Sequence, residues 1–405
     1  MQSLSSLVSY LLILSTTFLL AACGGGGGGG SSAASTMSSI TLTNPAQGQN
    51  VTPIIVDGGL SNNVNIPSVS VKVCLPGSTS QCQTINHILV DTGSYGLRIF
   101  SNQVTSFTLP NANQINQGSL TECVQFADGY TYGPVVNLDV SIAGETASNI
   151  PVNVLASPLY TNVPSTCAAG TALQSPSLFG SNGVLGIGDQ INDGDYGMYY
   201  TCATQGSCTP ITASFTSGFV VVNPVSNFLV DHNGVIINLP AINSTTGAAS
   251  ATGQLIFGIN TQTNNTLPSN ASVITPNAYN YFNSNLNNIN YPSSFIDSGS
   301  NGLFFNTNLA IPQCPQGTAW FGFYCPSTPL SLTAQITLAN GTPSPVPFSV
   351  SNPQNYPSNA YALDNLAGTQ LAQFNNSFDW GLPFFFGKNV YVFISNTPQI
   401  AFVTN

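Results

Sequence analysis

A seven-residue stretch with the residues for acid–base chemistry occurs twice in this chain, once in each half. The first copy, DTGSYGL, begins at Asp91, and the second, DSGSNGL, begins at Asp297. Five of the seven positions are identical, a sixth exchanges Thr for Ser, and an apolar run precedes each copy. A lone Asp-Thr-Gly often arises as a turn, but a repeat of this length in matching surroundings indicates two related parts of one site.

Two carboxyl groups held close together can act as an acid–base pair on a water molecule. Because two negative charges at short range repel, the pair shares one proton and its two pKa values separate. One group then takes a proton from water while the other gives a proton to the substrate. The two pKa values belong to the pair rather than to either residue. We therefore predict Asp91 and Asp297 to be the catalytic residues.

The doubled motif makes the chain resemble the pepsin-like aspartic proteases, and the resemblance extends over most of residues 51–405. In that family each of two lobes brings one such loop to a shared cleft, where the two acids activate a water. A partner motif of two apolar residues and a glycine runs beside each loop. Its first copy is Val184–Gly186 and its second is Trp380–Gly381, where Asp379 replaces the usual apolar residue.

The resemblance implies both a fold and an activity. The fold would be all-β and bilobal, a pepsin-like double β-barrel with the active-site cleft between two related lobes. The activity would be that of an endopeptidase that hydrolyses peptide bonds in peptide or protein substrates without a metal or cofactor. The alternative is a catalytically inactive surface module on the same scaffold that binds a peptide or protein.

The residues that follow each acid are suited to support it. A glycine lets the backbone turn tightly beside the carboxylate, and the first hydroxyl residue could brace one loop against the other. By the resemblance, the serine that follows the glycine hydrogen-bonds the outer carboxylate oxygen. The predicted supporting residues are Thr92, Gly93, Ser94, Ser298, Gly299 and Ser300.

The resemblance also implies a hairpin flap over the cleft, tipped in the family by a Tyr before Gly-x-Gly. The matching stretch is Val124–Tyr130, in which Phe126 stands where the Tyr is usual. The Trp that this Tyr normally hydrogen-bonds is replaced by Arg98, so both ends of that bond are missing together. The substrate-binding residues expected in the flap are Phe126, Asp128, Gly129 and Tyr130.

Arg98 is one of only three basic residues in the chain and is expected near the cleft. It could favour substrates that carry a carboxylate. The favoured alternative is that it pairs with Glu122, Asp128 or Asp139, or lies on the surface. A guanidinium close to the dyad would lower the pKa values of the two carboxyl groups.

Short β-branched runs dominate the chain, with Gly, Pro and Asn between them, and this pattern is typical of an all-β protein. Examples are Val135–Ile142 and Val390–Ile394. The length exceeds what one compact core normally holds. We predict an N-terminal lobe over residues 51–262, with Asp91, and a C-terminal lobe over residues 263–405, with Asp297.

The first residues have the character of a processing segment rather than of a fold. An apolar stretch ends in Leu20–Cys23 and resembles a bacterial lipobox, although the first ten residues have no Lys or Arg. We predict a lipoprotein signal peptide over residues 1–23, lipidation at Cys23 and a Gly/Ser-rich flexible tether over residues 24–50. The chain would be exported and lipid-anchored, at the outer membrane of a Gram-negative bacterium. An ordinary signal peptide is the alternative.

The composition is poor in charge and strongly acidic. Thirteen Asp and Glu oppose three Lys and Arg, and charged residues make up 4% of the chain. A nucleic-acid partner is not expected, because no basic patch exists to contact phosphates. The expected partners are a peptide or protein substrate and the membrane that holds the lipid anchor, and the chain is expected to be a monomer.

Nine cysteines leave eight for pairing once Cys23 is assigned to lipid. An even number in an exported chain indicates disulfides, although eight cysteines allow many pairings. Zinc is a poor alternative, since the chain has no Cys-x-x-Cys and only two His. Short spacings favour three pairs and leave a fourth: Cys74–Cys82, Cys202–Cys208, Cys314–Cys325 and Cys123–Cys167.

Overall fold

The computed structural model describes residues 37–42, 48–194, 197–204, 207–211, 218–395 and 397–404. Residues 37–405 form one compact unit. Within these residues the protein is mostly β, with 46% of them in strands and one short helix, so the predicted β class is confirmed. The predicted signal peptide and Cys23 lie outside the described residues, and no helix within those ranges is long and apolar enough to cross a bilayer.

The larger of two sheets contains seventeen strands of the described chain. They are β1 Ser39–Thr41, β2 Val51–Asp57, β3 Ile66–Cys74, β4 Cys82–Asp91, β5 Tyr95–Phe100, β6 Gln114–Ile115, β7 Gly118–Phe126, β8 Gly129–Ile142, β9 Glu145–Leu155, β10 Gly183–Ile187, β11 Met198–Thr204, β12 Ser207–Pro210, β13 Gly234–Leu239, β14 Ser250–Phe257, β15 Ser272–Ile274, β23 Lys388–Phe393 and β24 Gln399–Thr404.

The smaller sheet contains seven strands, all from residues 282–381. They are β16 Phe282–Leu286, β17 Ile289–Asp297, β18 Leu303–Phe304, β19 Leu330–Thr337, β20 Pro343–Val350, β21 Ala367–Gly368 and β22 Asp379–Gly381. The helix α1 is Pro176–Phe179, and short 3-10 turns occur at Ser101–Gln103, Pro224–Asn227, Pro353–Asn355, Ala372–Phe374 and Leu382–Phe384.

Three strands position the first Asp motif. β4 ends at Asp91, the chain turns, and β5 leaves in the opposite direction. β10 lies between them, parallel to β4 and antiparallel to β5, with Gly186 opposite both Asp91 and Gly96. A Cβ at Gly186 would lie 2.6 Å from the backbone nitrogen of Tyr95. Because the turn after Asp91 packs this closely on β10, only glycine fits there.

The second Asp motif is positioned by the same arrangement of strands. β17 ends at Asp297, and β22 lies parallel to it with Gly381 opposite Asp297. β22 is also antiparallel to β18, with Trp380 opposite Leu303. A Cβ at Gly381 would lie 2.7 Å from the carbonyl oxygen of Ser300. The repeat in the sequence is therefore a repeat in topology, with the partner glycine in the same role in each half.

The last strands of the chain return to the larger sheet. β23 pairs with β13, and β24 pairs with both β23 and β15. This sheet therefore contains strands from both predicted lobes, and the division at residue 262 stays a prediction. Ser39–Thr41, inside the segment predicted to be a tether, pairs parallel with residues 250–252 of β14.

The four predicted disulfides are confirmed. Cys74–Cys82 joins β3 to β4, and Cys202–Cys208 joins β11 to β12. Cys314–Cys325 closes a loop of the second half, and Cys123–Cys167 ties the flap strand β7 to the segment that follows β9. Three of the four link cysteines that are close in sequence, and for this reason spacing was enough to pair them.

Candidate active site

The two acids of the doubled motif meet at the floor of a cleft. The carboxyl groups of Asp91 and Asp297 both lie against Gly299, where a Cβ would be 3.1 Å from Oδ1 of Asp297. A Cβ at Gly93 would lie 2.7 Å from Cγ of Asp297, and a Cβ at Gly299 would lie 2.8 Å from Oδ1 of Asp91. Neither glycine has a positive φ. The glycines are thus required because the carboxyl group of the other half occupies the space of a side chain, and not because of an unusual turn.

The hydroxyl residues after the two acids brace the loops against each other. The backbone N–H of Thr92 donates to Oγ of Ser298 at 3.1 Å, and the N–H of Ser298 donates to Oγ1 of Thr92 at 2.9 Å. Each hydroxyl then donates across to the opposite strand, Ser298 to the carbonyl of Val90 at 2.7 Å and Thr92 to that of Ile296 at 3.3 Å. These four bonds are buried and fix how the two loops lie against each other.

Each carboxyl group has the same set of hydrogen-bond partners in its own loop. The N–H of Gly93 donates to Oδ1 of Asp91 at 2.8 Å, and the N–H of Gly299 donates to Oδ1 of Asp297 at 2.8 Å. Ser94 donates to the outer oxygen of Asp91. Oγ of Ser300 lies 2.9 Å from the outer oxygen of Asp297. The structure therefore brings together all eight residues predicted for the dyad and its support.

The electrostatics of the pair favour a proton on Asp297. Burial raises the pKa of Asp297 well above its usual value, and the negative charges of Asp91 and Asp379 raise it further. Because an adjacent anion disfavours a second negative charge, this carboxyl group retains its proton when a normal aspartate has lost it. The arrangement can hold one protonated and one ionised carboxyl group beside a water, as general acid–base chemistry requires.

Asp379 lies beside the dyad, although the sequence pattern did not lead us to assign it to the site. Its Oδ2 lies 2.7 Å from Oγ of Ser300, and its side chain lines the same cleft as the two acids. Burial is the main cause that raises its pKa well above the usual value, and the charge of Asp91 adds to the increase while Ser300 opposes it. The signal in the sequence was the departure itself, an acid where the partner motif normally has an apolar residue.

The predicted flap is a hairpin, but the residues of it that line the cleft are mostly not the ones expected. β7 and β8 pair antiparallel up to Phe126 opposite Gly129. Val124, Gln125, Phe126 and Ala127 line the cleft. Phe126 also packs edge-on against Phe179 at 5.3 Å.

The other three predicted flap residues are not among those that line the cleft, and their role in substrate binding stays a prediction. Asp128 lies at the tip of the hairpin. Gly129 and Tyr130 pack instead against residues 171–173, where the N–H of Tyr130 donates to the carbonyl of Thr171 at 2.8 Å. The reason is geometric, since the strand after the tip is turned toward a neighbouring segment rather than toward the acids.

The sequence of the chain matches a known protein family. The model of a family described as a protein of unknown function, DUF3443, matches residues 46–401. The chain belongs to this family. Asp91, Asp297 and Asp379 all lie within the matched span. No curated protein matches the chain.

In this DUF3443 member, Arg98 lies in a buried ion cluster. Its guanidinium donates to Glu122 at 2.5 Å and to Asp193, and it also donates to the carbonyl of Tyr95 at 2.7 Å. Tyr199 donates to the second oxygen of Asp193. Only 1% of Arg98 is exposed, so the charge is used within the protein. Of the expected partners, Glu122 is correct, whereas Asp128 and Asp139 are not, because Asp193 fills the second position.

The cleft between the flap and the dyad is walled by aromatic and polar side chains. Its volume is about 350 Å³, which lies in the range of small-ligand and side-chain pockets. The rings that line it are Tyr95, Phe126, Tyr279, Tyr281, Phe295 and Phe374. Asn280 donates to the hydroxyl of Tyr95 at 2.9 Å. Burial raises the pKa of Asp189, also on the wall, to about 6.

Within the described residues, no group of three or more His, Cys, Asp or Glu side chains is arranged to hold a metal ion. The dyad has a different set of neighbours, namely backbone N–H groups that donate to its oxygens and the hydroxyls of Ser94 and Ser300 at hydrogen-bond distance. These donors suit a carboxylate that handles protons.

Proposed function

We propose that this chain is a pepsin-like aspartic endopeptidase with two lobes, each a β-barrel, in which Asp91 and Asp297 activate a water. The observation that carries the proposal is the close approach of two carboxyl groups supplied by equivalent loops, whose Oδ1 atoms lie 2.8 and 3.1 Å from one Cβ position at Gly299. Acids this close share a proton. Two acids that served only to bind a ligand would have no need of this contact.

The roles of the two acids follow from their surroundings. Asp297 holds the shared proton and donates it to the carbonyl oxygen of the scissile peptide bond. Asp91 takes a proton from the water, whose oxygen forms a bond to the carbonyl carbon, so that a neutral gem-diol results. When the C–N bond breaks, Asp91 returns a proton to the leaving nitrogen and Asp297 regains one from the diol. No other reactant is required.

The cleft suits a peptide whose apolar side chains are inserted between rings. Phe295 and Phe374 pack edge-on at 6.4 Å, and Tyr281 lies 6.3 Å from Phe295 on the same wall. Burial of an aliphatic or aromatic side chain among them contributes about 1.5–3 kcal/mol. The substrate in this proposal is therefore a peptide or unfolded protein with apolar residues next to the cleaved bond.

The proposed location is outside the cytoplasm. Four disulfides are typical of an oxidising compartment. An exported chain with a lipid on Cys23 would be held at the outer membrane of a Gram-negative bacterium as a monomer, with no nucleic-acid partner. Labelling with a radioactive fatty acid, in wild type and in Cys23→Ala, tests the anchor.

The deciding experiment is cleavage of denatured casein or haemoglobin from about pH 2.5 to 7 by wild type, Asp91→Asn and Asp297→Asn. Either substitution is expected to lower kcat/KM at least about a hundredfold, since general acid–base catalysis contributes that much or more. Asp139→Asn, far from the cleft, is the matched control, and thermal unfolding checks that all variants fold. Undiminished turnover in either dyad variant refutes the proposal.

A binding module is the second candidate, and one observation favours it. The flap has Phe126 in place of the usual Tyr, and the site of its Trp partner is a buried ion cluster. Peptide binding to wild type without any cleavage across the pH range, at an affinity unchanged in Asp91→Asn, would support this candidate over the enzyme.

A further inference from the structure

The hydroxyl of Ser300 lies between two carboxyl groups. Its Oγ is 2.9 Å from Oδ2 of Asp297 and 2.7 Å from Oδ2 of Asp379. A hydroxyl has one hydrogen to donate, so it can donate to only one of these oxygens. The other contact requires that the carboxyl group itself is protonated and donates to Oγ. Besides the hydroxyl hydrogen itself, at least one of Asp297 and Asp379 therefore carries a proton.

The carboxyl group of Asp379 is buried and has few hydrogen-bond partners. Its side chain is 5% exposed, and Oδ1 finds no hydrogen-bond partner among the described residues. The titrating groups that face it are Asp297 on β17 and Asp91 on β4, while β18 on its other side contributes only Leu303 and Phe304. Among the described residues, Ser300 is thus the one side chain hydrogen-bonded to the carboxyl group of Asp379, and it also contacts Asp297 of the dyad.

The first half of the site lacks this feature. Two residues before its partner glycine stands Val184, fully buried, where the second half has Asp379 two residues before Gly381. Ser94 accordingly contacts Asp91 without a third carboxyl group. Any effect of Asp379 therefore acts on Asp297 and not equally on both acids.

We propose that Asp379 is a positioning residue that acts through Ser300 to keep the dyad's shared proton on Asp297. The inference rests on the proposed function. When Asp379 is ionised, Ser300 donates its hydrogen to Asp379, and the contact with Asp297 then requires that Oδ2 of Asp297 carries a proton and donates it to Oγ of Ser300. Asp297 is then the acid of the pair and Asp91 the base. No bond other than these hydrogen bonds changes.

The direction of the pH effect follows from the sign of the charge. A neighbouring anion raises the pKa of a carboxyl group, so Asp297 keeps its proton to a higher pH when Asp379 is ionised. Activity that depends on this proton therefore extends further toward neutral pH. At low pH, where Asp379 is itself protonated, its charge is absent and its influence disappears.

The test is the pH profile of kcat/KM for wild type, Asp379→Asn and Asp379→Val. Asparagine keeps the shape and can donate to Ser300 but never ionises, while valine reproduces the residue of the first half. Both variants are expected to match wild type within a few-fold at the acid end and to lose activity earlier as pH rises, with the alkaline limb about one pH unit lower. Superimposed profiles, or an equal loss at every pH, would show a merely structural role and overturn the proposal.

A measurement without turnover separates this inference from the proposed function. The chain has eleven aspartates, so the ¹³C signal of each carboxyl carbon can be followed by NMR as pH changes. The titration midpoint of Asp297 is expected to fall in Asp379→Asn. If wild type cleaves nothing but this shift occurs, the peptidase proposal fails and the coupling stands. If wild type cleaves and the midpoint does not move, the coupling is wrong.

Discussion

The two halves of the site have the same framework but place their additional acids differently. In each half a strand ends at the aspartate, and a second strand with a glycine lies parallel to it. In the first half the extra acid is Asp189, three residues after the glycine, where the second half has Phe384. In the second half it is Asp379, two residues before the glycine, where the first half has Val184.

The difference teaches that symmetry of the backbone does not require symmetry of charge. The glycines and hydroxyls must match in both halves because each contacts its counterpart across the site. The extra acids contact only their own half, so each can differ. The pKa of Asp297 is raised by its own surroundings, and the reaction that we propose needs such an asymmetry to separate an acid from a base.

The largest expected effect concerns the buried ion cluster around Arg98, which lies in the first half. Arg98→Met removes the cation between Glu122 and Asp193 and leaves two buried carboxyl groups unpaired. The free energy of unfolding is expected to fall by about 3–5 kcal/mol, as for other broken buried ion pairs. Urea unfolding measures this, with the exposed Lys72→Met as control. An equal, small effect of both substitutions would mean that the cluster contributes little to stability.

The second prediction tests whether the halves are equivalent at their glycines. Gly93→Ala and Gly299→Ala each insert a methyl group within 3 Å of the opposite carboxyl group. Both are expected to lower kcat/KM by about tenfold to a hundredfold, since a small displacement of acid–base groups is costly. Gly218→Ala, where a Cβ meets nothing within 4 Å, is the control. A large effect in one half alone would break the comparison.

Asp189 gives a pH-dependent prediction for the first half. Its folded-state pKa of about 6 exceeds the value of about 4 for an unfolded aspartate. Its contribution to stability is therefore complete below about pH 4 and is lost as pH rises through about 6. Relative to Asp189→Asn, wild type is expected to lose about 2 kcal/mol between these values. Urea unfolding at several pH values measures the difference, and parallel curves would contradict the prediction.

The smallest expected effect concerns the hydrogen bonds that join the halves. Thr92→Val and Ser298→Ala each remove a hydroxyl that accepts an N–H from the other loop. Each is expected to cost about 1–2 kcal/mol of unfolding free energy. The double variant should cost less than the sum, because the two hydroxyls belong to one network. Strict additivity would indicate that the loops are held by other contacts.

Local patterns in the sequence were enough for the β class, the disulfide pairs and the candidate dyad. β-branched runs between turn residues indicate strands whatever their final partners, and most of the paired cysteines are separated by short loops. The two Asp motifs could be recognised because a repeated motif is found by comparing segments of the sequence, without knowing how far apart they lie in space.

Only the tertiary structure decided which groups touch across long separations. The reason that Gly93 must be glycine is a carboxyl group from the other half of the chain, and Asp193 pairs with Arg98 from a distant loop. The sequence shows Asp379 at a motif position that is usually apolar. Its contact with Ser300, however, depends on how β22 packs beside β17. Local sequence sets strands and turns, whereas the distances that determine proton affinity arise only when those strands pack together.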